Sequence, residues 1–88
     1  MQAATLVFDR PKTVGAVALT FPSGATSKCR FDFEASMDGR TFHPVASGTA
    51  ARTDKQFVFR WKPEEMRYLR FHAGKGAIGR VERLDFLP

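Results

Sequence analysis

The sequence predicts an all-β fold, an antiparallel β-sandwich forming a single domain over residues 1–88. Three observations carry this. The run Cys29-Arg30-Phe31-Asp32-Phe33-Glu34-Ala35-Ser36 alternates apolar and polar residues strictly, the period of a strand with one face in a core and one in water. Just after it, Asp38-Gly39 lies between two such runs, a strong hairpin signal because Gly adopts positive φ at no steric cost. Apolar runs then recur at a spacing of roughly 10–14 residues between turn residues, which suits a sandwich or barrel rather than alternating strands and helices.

The elements follow in order. Thr5–Phe8 and Thr13–Thr20 read as two strands parted by a turn at Asp9-Arg10-Pro11, because Pro fixes φ and lacks a ladder donor. Pro22-Ser23-Gly24 marks the next turn, after which Cys29–Ser36 and Thr41–Ala46 form the hairpin. Ala46-Ser47-Gly48 reads as a turn, followed by strands at Lys55–Arg60, Arg67–His72 and, after Gly74-Lys75-Gly76, Arg80–Phe86. Lys62-Pro63-Glu64-Glu65-Met66 is the one helical hint. Pro suits a first helical turn and acids suit its N-terminus, so a single turn is expected there.

Composition bounds the class. A chain of 88 residues with 43% hydrophobic content and nine Phe can bury enough apolar surface to fold without disulfides. Only Cys29 is available, so no internal disulfide forms. No run approaches the roughly 18 apolar residues of a membrane span, and Met1–Phe8 lacks the features of a secretion signal. Asn is absent, and with it any N-glycosylation sequon.

Catalytic and metal chemistry find little support. His43 and His72 are the only histidines and fall on different predicted strands, without Cys or carboxylates at ligand spacing, so no metal site is expected. Cys29 shares the inward parity of Phe31 and Phe33 and reads as a core thiol. Asp32 and Glu34 lie on one outward strand face, and Glu64-Glu65 are adjacent; neither pair flanks a cleft as glycoside hydrolysis requires. Ser23, Ser36 and Ser47 have no nucleophile-elbow setting. Gly74-Lys75-Gly76-Ala77-Ile78-Gly79 has the dinucleotide-binding spacing, but a strand follows it where that motif needs a helix, so it reads as a turn. The chain is expected to be no enzyme and to need no cofactor.

Three blocks resemble, in order, the discoidin or factor-five/eight type C family, which includes carbohydrate-binding module family 32 and modules attached to polysaccharide lyases. Leu6-Val7-Phe8-Asp9-Arg10-Pro11-Lys12-Thr13-Val14-Gly15-Ala16-Val17-Ala18-Leu19 is similar to the family's strand, Leu-Gly-Lys-Pro, strand opening. Phe31–Phe42, with Ser36-Met37-Asp38-Gly39-Arg40-Thr41-Phe42, is similar to its Ser-x-Asp-Gly-x-x-Trp/Phe hairpin. Met66-Arg67-Tyr68-Leu69-Arg70-Phe71 is similar to its Ala-Arg-Tyr-Leu/Val-Arg-Ile strand. The resemblance implies a galactose-binding-domain-like jelly roll, shortened at the N-terminus, binding carbohydrate at one loop end, in an extracellular or periplasmic protein. The family's N-terminal segment has no counterpart here. An edge left open by that can pair with a second copy or a partner chain. The family's calcium-binding glutamate aligns with Arg83, which argues against calcium. The absence of Asn and the scarcity of loop aromatics argue against a neutral galactose ligand.

Charge supplies the functional signal. Fourteen Lys and Arg against nine Asp and Glu leave +5, which favours anionic partners. Successive antiparallel strands bring alternate loops to one end. One end is then expected to collect Phe21–Lys28, Ser47–Asp54 and Ala73–Gly79, with Lys28, Arg30, Arg52, Lys55, His72, Lys75 and Arg80 against Asp54 alone. Guanidinium and ammonium groups pair with carboxylate or sulfate on an acidic polysaccharide. The expected ligand residues are Phe21 for a sugar face, His72 for hydroxyls, and Lys28, Arg30, Arg52, Lys75 and Arg80 for acid groups. Ordinary solvated charge is the competing reading. Interleaved basic and aromatic residues also mark single-strand nucleic-acid binders, but most aromatics here, Trp61 and Tyr68 included, fall at core positions. The sequence thus reads as a non-catalytic carbohydrate-binding module for an acidic glycan. The alternative is an interaction or assembly module that uses an exposed sheet edge.

Overall fold

The computed structural model describes residues 2–20, 29–50, 56–73 and 83–88. They form a five-stranded sheet ordered β3-β2-β4-β1-β5, with β1 at Gln2–Thr20, β2 at Cys29–Ser36, β3 at His43–Ala50, β4 at Gln56–Ala73 and β5 at Arg83–Leu87. Every pairing is antiparallel. The all-β expectation holds.

A single sheet buries a core here by folding over on itself. At about 3.3 Å per residue the 18 residues of β4 would span far more than the 37 Å long axis of the molecule. The ring of Phe33 in β2 lies 5.9 Å from Phe71 and 5.1 Å from Phe59, so both halves of β4 close on one side chain. β1 follows β4 along its length, from Gln2↔Ala73 to Thr20↔Gln56. One layer therefore holds β3, β2, the end of β4 and the start of β1. The other holds the start of β4, the end of β1 and β5. Phe86 of β5 meets Phe8 of β1 edge-on at 5.4 Å, which closes the far side of the sandwich.

The bend is made where the ladder slips. Residues 8–11 of β1 stand opposite Arg67 alone, and residues 61–63 of β4 stand opposite Gly15 alone. Such bulges kink a strand and sharpen its twist. A Cβ on Gly15 would sit 2.7 Å from Cγ of Pro63 and 3.2 Å from the carbonyl carbon of Pro88, so only glycine lets the two strands approach. The Trp61 indole N–H donates to the Val14 carbonyl at 3.0 Å and ties the bulge together.

These slips correct four expectations. Thr5–Phe8 and Thr13–Thr20 belong to one strand, and Asp9-Arg10-Pro11 is its bulge rather than a turn between strands. Arg67–His72 is continuous with Gln56–Arg60. The segment Lys62–Met66 is strand and not a helical turn, because Pro63 packs on Gly15 and not in a helix. The third strand starts at His43 and runs through Gly48 to Ala50. Gly48 serves close packing rather than a turn, since a Cβ there would lie 3.1 Å from the Phe59 ring.

Val14, Val17, Leu19, Phe31, Phe33, Phe59, Met66, Leu69 and Phe71 form the core. Burial of each large side chain is worth about 1.5–3 kcal/mol, and tilted or stacked aromatic pairs add about 0.5–1.5 kcal/mol. Trp61 stacks on Phe33 at 6.2 Å and is half-buried, close to its expected core role. The hairpin turn forms as its sequence implies. Gly39 has φ of 78°, and a Cβ there would meet the Tyr68 ring at 2.8 Å. The Ser36 hydroxyl accepts the N–H groups of Asp38 and Gly39 at 3.2 and 2.9 Å. Asp38 Oδ1 accepts the N–H groups of Thr41 and Arg40 at 2.9 and 2.8 Å. Those bonds, Thr41 first, hold the Asp38 carboxyl below its ordinary range.

Candidate functional site

Because β4 folds at its middle, its two termini, Gln56 and Ala73, reach the same end of the sandwich. Gln56 pairs with Thr20, and Thr20 with Arg83. Ala73 pairs with Gln2 and Phe31, and Cys29 pairs with Ala50. The strand termini Thr20, Cys29, Ala50, Gln56, Ala73 and Arg83 thus gather opposite the bend. This is the end to which the sequence assigned its basic loops. Of the expected ligand residues, Phe21, Lys28, Arg52, Lys75 and Arg80 lie outside the described residues. Arg30 and His72 are described.

Strand alternation fixes how those two are presented. In β2 it buries Phe31, Phe33 and Ala35 and turns Arg30, Asp32 and Glu34 to the outer face. Across the ladder, Asp32 pairs with His72 and Glu34 with Arg70. Arg30 is exposed, with Nη2 3.3 Å from Asp32 Oδ1. Glu34 Oε1 accepts the Arg70 Nε–H at 3.0 Å, and His72 Nε2 lies 2.7 Å from the same oxygen. The Arg70 and His72 hydrogen bonds pull the Glu34 carboxyl below its ordinary 4.5 against the opposing effect of partial burial. Glu34 is therefore a carboxylate at neutral pH.

The outer face continues toward the hairpin turn as one connected row. The Arg70 guanidinium sits 3.9 Å from the Phe42 ring centroid, and Phe42 meets Tyr68 edge-on at 6.5 Å. A cation held over an aromatic ring contributes about 0.5–2 kcal/mol. Beside this row, Asp32, Glu34, Pro44, Ser47 and His72 line an open depression of about 370 Å³. It offers carboxylate acceptors, a hydroxyl and an imidazole edge, which is the chemistry of hydrogen bonding to polyols.

The sequence set Asp32 and Glu34 on an outward strand face without a role and gave His72 to sugar hydroxyls. In the structure Glu34 is bound by Arg70 and already engages His72 Nε2, so His72 stands as part of a set. The signal was present: Asp32-Phe33-Glu34 and Arg70-Phe71-His72 have matching alternation and complementary charge, which the pairing of β2 with β4 brings together. At the opposite end, His43 Nε2 lies 2.6 Å from Glu64 Oε2. Arg83, on the last strand, has Nε 3.1 Å from Asp85 Oδ2. Among the described residues no three His, Cys, Asp or Glu side chains are grouped to hold a metal ion.

No protein-family model matches the chain, and no curated protein matches it in sequence. Solved structures do. The CBM32 of AlyQ, in complex with 4,5-unsaturated mannuronic acid, superposes with a TM-score of 0.78 at 16% identity, over 98% of this chain and 70% of that one. A pectin-binding carbohydrate-binding module gives 0.79 at 15% identity, over 98% and 70%. CpGH89CBM32-5 from Clostridium perfringens, in complex with GalNAc-β-1,3-galactose, gives 0.80 at 13% identity, over 98% and 65%. At these identities the likeness is one of fold, and it agrees with the strand order, the folded sheet and the gathered termini. The chain has the galactose-binding-like fold of the discoidin-like CBM32 modules.

Proposed function

We propose that the chain is a non-catalytic carbohydrate-binding module that recognises an acidic polysaccharide at its basic loop end. The observation that carries this is the gathering of the strand termini Thr20, Cys29, Ala50, Gln56, Ala73 and Arg83 opposite the bend. In the sequence, Lys28, Arg30, Arg52, Lys55, His72, Lys75 and Arg80 all lie within a few residues of those termini, against Asp54 alone. In this reading Arg30 meets an acid group at the margin of the outer face. Lys28, Arg52, Lys75 and Arg80 supply further cations, and Phe21 a flat apolar surface. His72, steadied by Glu34, presents its ring to hydroxyls. The solved neighbours support a sugar ligand: one holds an unsaturated mannuronic acid, one binds pectin, and one holds GalNAc-β-1,3-galactose. Since that fold serves both acidic and uncharged sugars, the +5 balance of this chain is what favours the acidic class.

Binding of a mannuronate polymer, a sulfated glycan, a neutral galactan and single-stranded DNA, measured side by side, tests the proposal. Selective binding to an acidic glycan is expected, weakening as salt rises. Charge-assisted hydrogen bonds are worth about 1.5–3 kcal/mol each, so the double variant Lys28→Ala, Arg30→Ala should lose roughly tenfold or more in affinity. Equal binding to every polyanion, or full affinity in the double variant, would sink the assignment.

A further inference from the structure

Folding one sheet into two layers leaves four free edges among the described residues: the outer sides of β3 and β5, the start of β4, and the start of β1, where residues 2–7 pair with β4 alone. Free edges invite pairing with other chains, and proteins guard them with charge, proline, glycine or bulges. Two of the four are guarded along their length. β3 carries Pro44, Gly48 and a bulge against β2. β5 carries Arg83 and Asp85. The start of β4, Gln56–Phe59, carries none of these guards but is short, with Phe57 and Val58 half-buried and Phe59 buried. The fourth edge, Gln2-Ala3-Ala4-Thr5-Leu6-Val7-Phe8, holds no charge, no proline and no glycine. Val7 is 59% exposed on it, and Ala3 and Thr5 are exposed beside it.

We infer that this edge pairs with the same edge of a second copy, antiparallel, about a two-fold axis at Thr5. An antiparallel strand paired with itself makes a closed, isologous contact. Centred on Thr5, the register sets Thr5 against Thr5, Leu6 against Ala4 and Val7 against Ala3. Each large side chain then meets a small one, and the Thr–Thr pair is a favourable cross-strand partner. No charge opposes its own copy, because the first charged residues, Asp9 and Arg10, lie beyond the paired segment. The half-buried Leu6, Phe8, Leu84 and Phe86 lie along this same side of the sandwich, so a second copy adds cover to side chains that the Phe8–Phe86 contact leaves partly exposed. A single strand pair is a small contact, below about 1,200 Å², and points to a micromolar equilibrium rather than an obligate dimer.

The two-fold axis makes the inference testable by charge swap at an exposed position. Sedimentation equilibrium of the 88-residue chain across the micromolar to millimolar range should show mass rising towards that of a dimer. Thr5→Lys and Thr5→Glu each set like charges face to face and should raise the dissociation constant about tenfold or more, with circular dichroism unchanged. An equimolar mixture of the two should dimerise again. A monomeric wild-type chain, dimerisation that survives in both variants, or a mixture no better than either alone would each overturn it. Glycan binding by the wild-type chain, measured at a concentration where it is monomeric, is a separate assay, so failure here and failure of the loop-end reading are distinguished.

Discussion

The two halves of β1 share one long partner and yet behave as different kinds of strand. From Ala3 to Phe8 exposed and half-buried residues alternate, whereas from Val14 to Leu19 every position is buried. The second half has β4 on one side and β5 on the other; among the described residues the first has β4 alone. Val14, Val17 and Leu19 enter the core cluster, so Ala16 and Ala18 point the other way, where no further layer of the described residues covers them. They are nonetheless 1% and 4% exposed. Ala16 stands between Arg60 and Leu87, and Ala18 between Val58 and Asp85. A methyl group between longer neighbours on both flanks is shaded by them. Among the described residues, then, a strand with two neighbours and small outward side chains is buried on both faces without a third layer.

Substitutions can push on this contrast. Leu19→Ala empties a site with no exposure, and losses of about 2–5 kcal/mol are expected for such a change. Chemical denaturation measures it, with Val7→Ala on the exposed half as the reference, expected within about 0.5 kcal/mol of wild type. Equal losses at the two sites would erase the distinction. Gly15→Ala, at the slip that separates the halves, forces its Cβ onto Pro63 and should cost about 1–3 kcal/mol. A neutral result would mean that the bend relaxes freely.

The smallest expected effect concerns the layer that contains the exposed half. There Thr5 pairs with Arg70, and Arg70 with Glu34. The Glu34 carboxyl titrates below its ordinary 4.5 in the folded chain, so the unfolded chain takes up its proton first as pH falls. The stabilisation is complete above about 4.5 and is lost as pH drops through the lower folded value. Wild type and Glu34→Gln should therefore converge in stability in acid and separate at neutral pH. Amides of residues 2–7 should lose hydrogen-exchange protection in acid before those of 16–20. A stability gap independent of pH would remove the ion pairs from the account.

Much of this fold is legible in the sequence where the signal is local. The alternation of Cys29–Ser36 and the turn at Asp38-Gly39 need only residues close in the chain, and both form as written. What misleads is punctuation whose meaning depends on a distant residue. Pro11 and Gly48 read as turns and Pro63 as the start of a helical turn, but each lies within a strand. Pro63 is accommodated because Gly15 lies beneath it, and Gly48 is small because Phe59 packs on it. The candidate site divides in the same way. The gathering of strand termini follows from counting reversals of the chain. The Glu34–Arg70–His72 set depends on which strand neighbours which, and a single sequence does not state that.

The long pairing of β1 with β4 also sets a timetable for the chain as it is made. Gln2 finds its partner only at Ala73, and a ribosome adds about 5–20 residues per second. For several seconds after it emerges, β1 has no strand to join, and its uncharged opening segment is the part most in need of one. Contacts this distant also slow folding once synthesis ends. Until β4 is made, Gln2–Phe8 is therefore an uncharged strand without its partner, and a factor that shields it in that interval would raise the yield of folded chain.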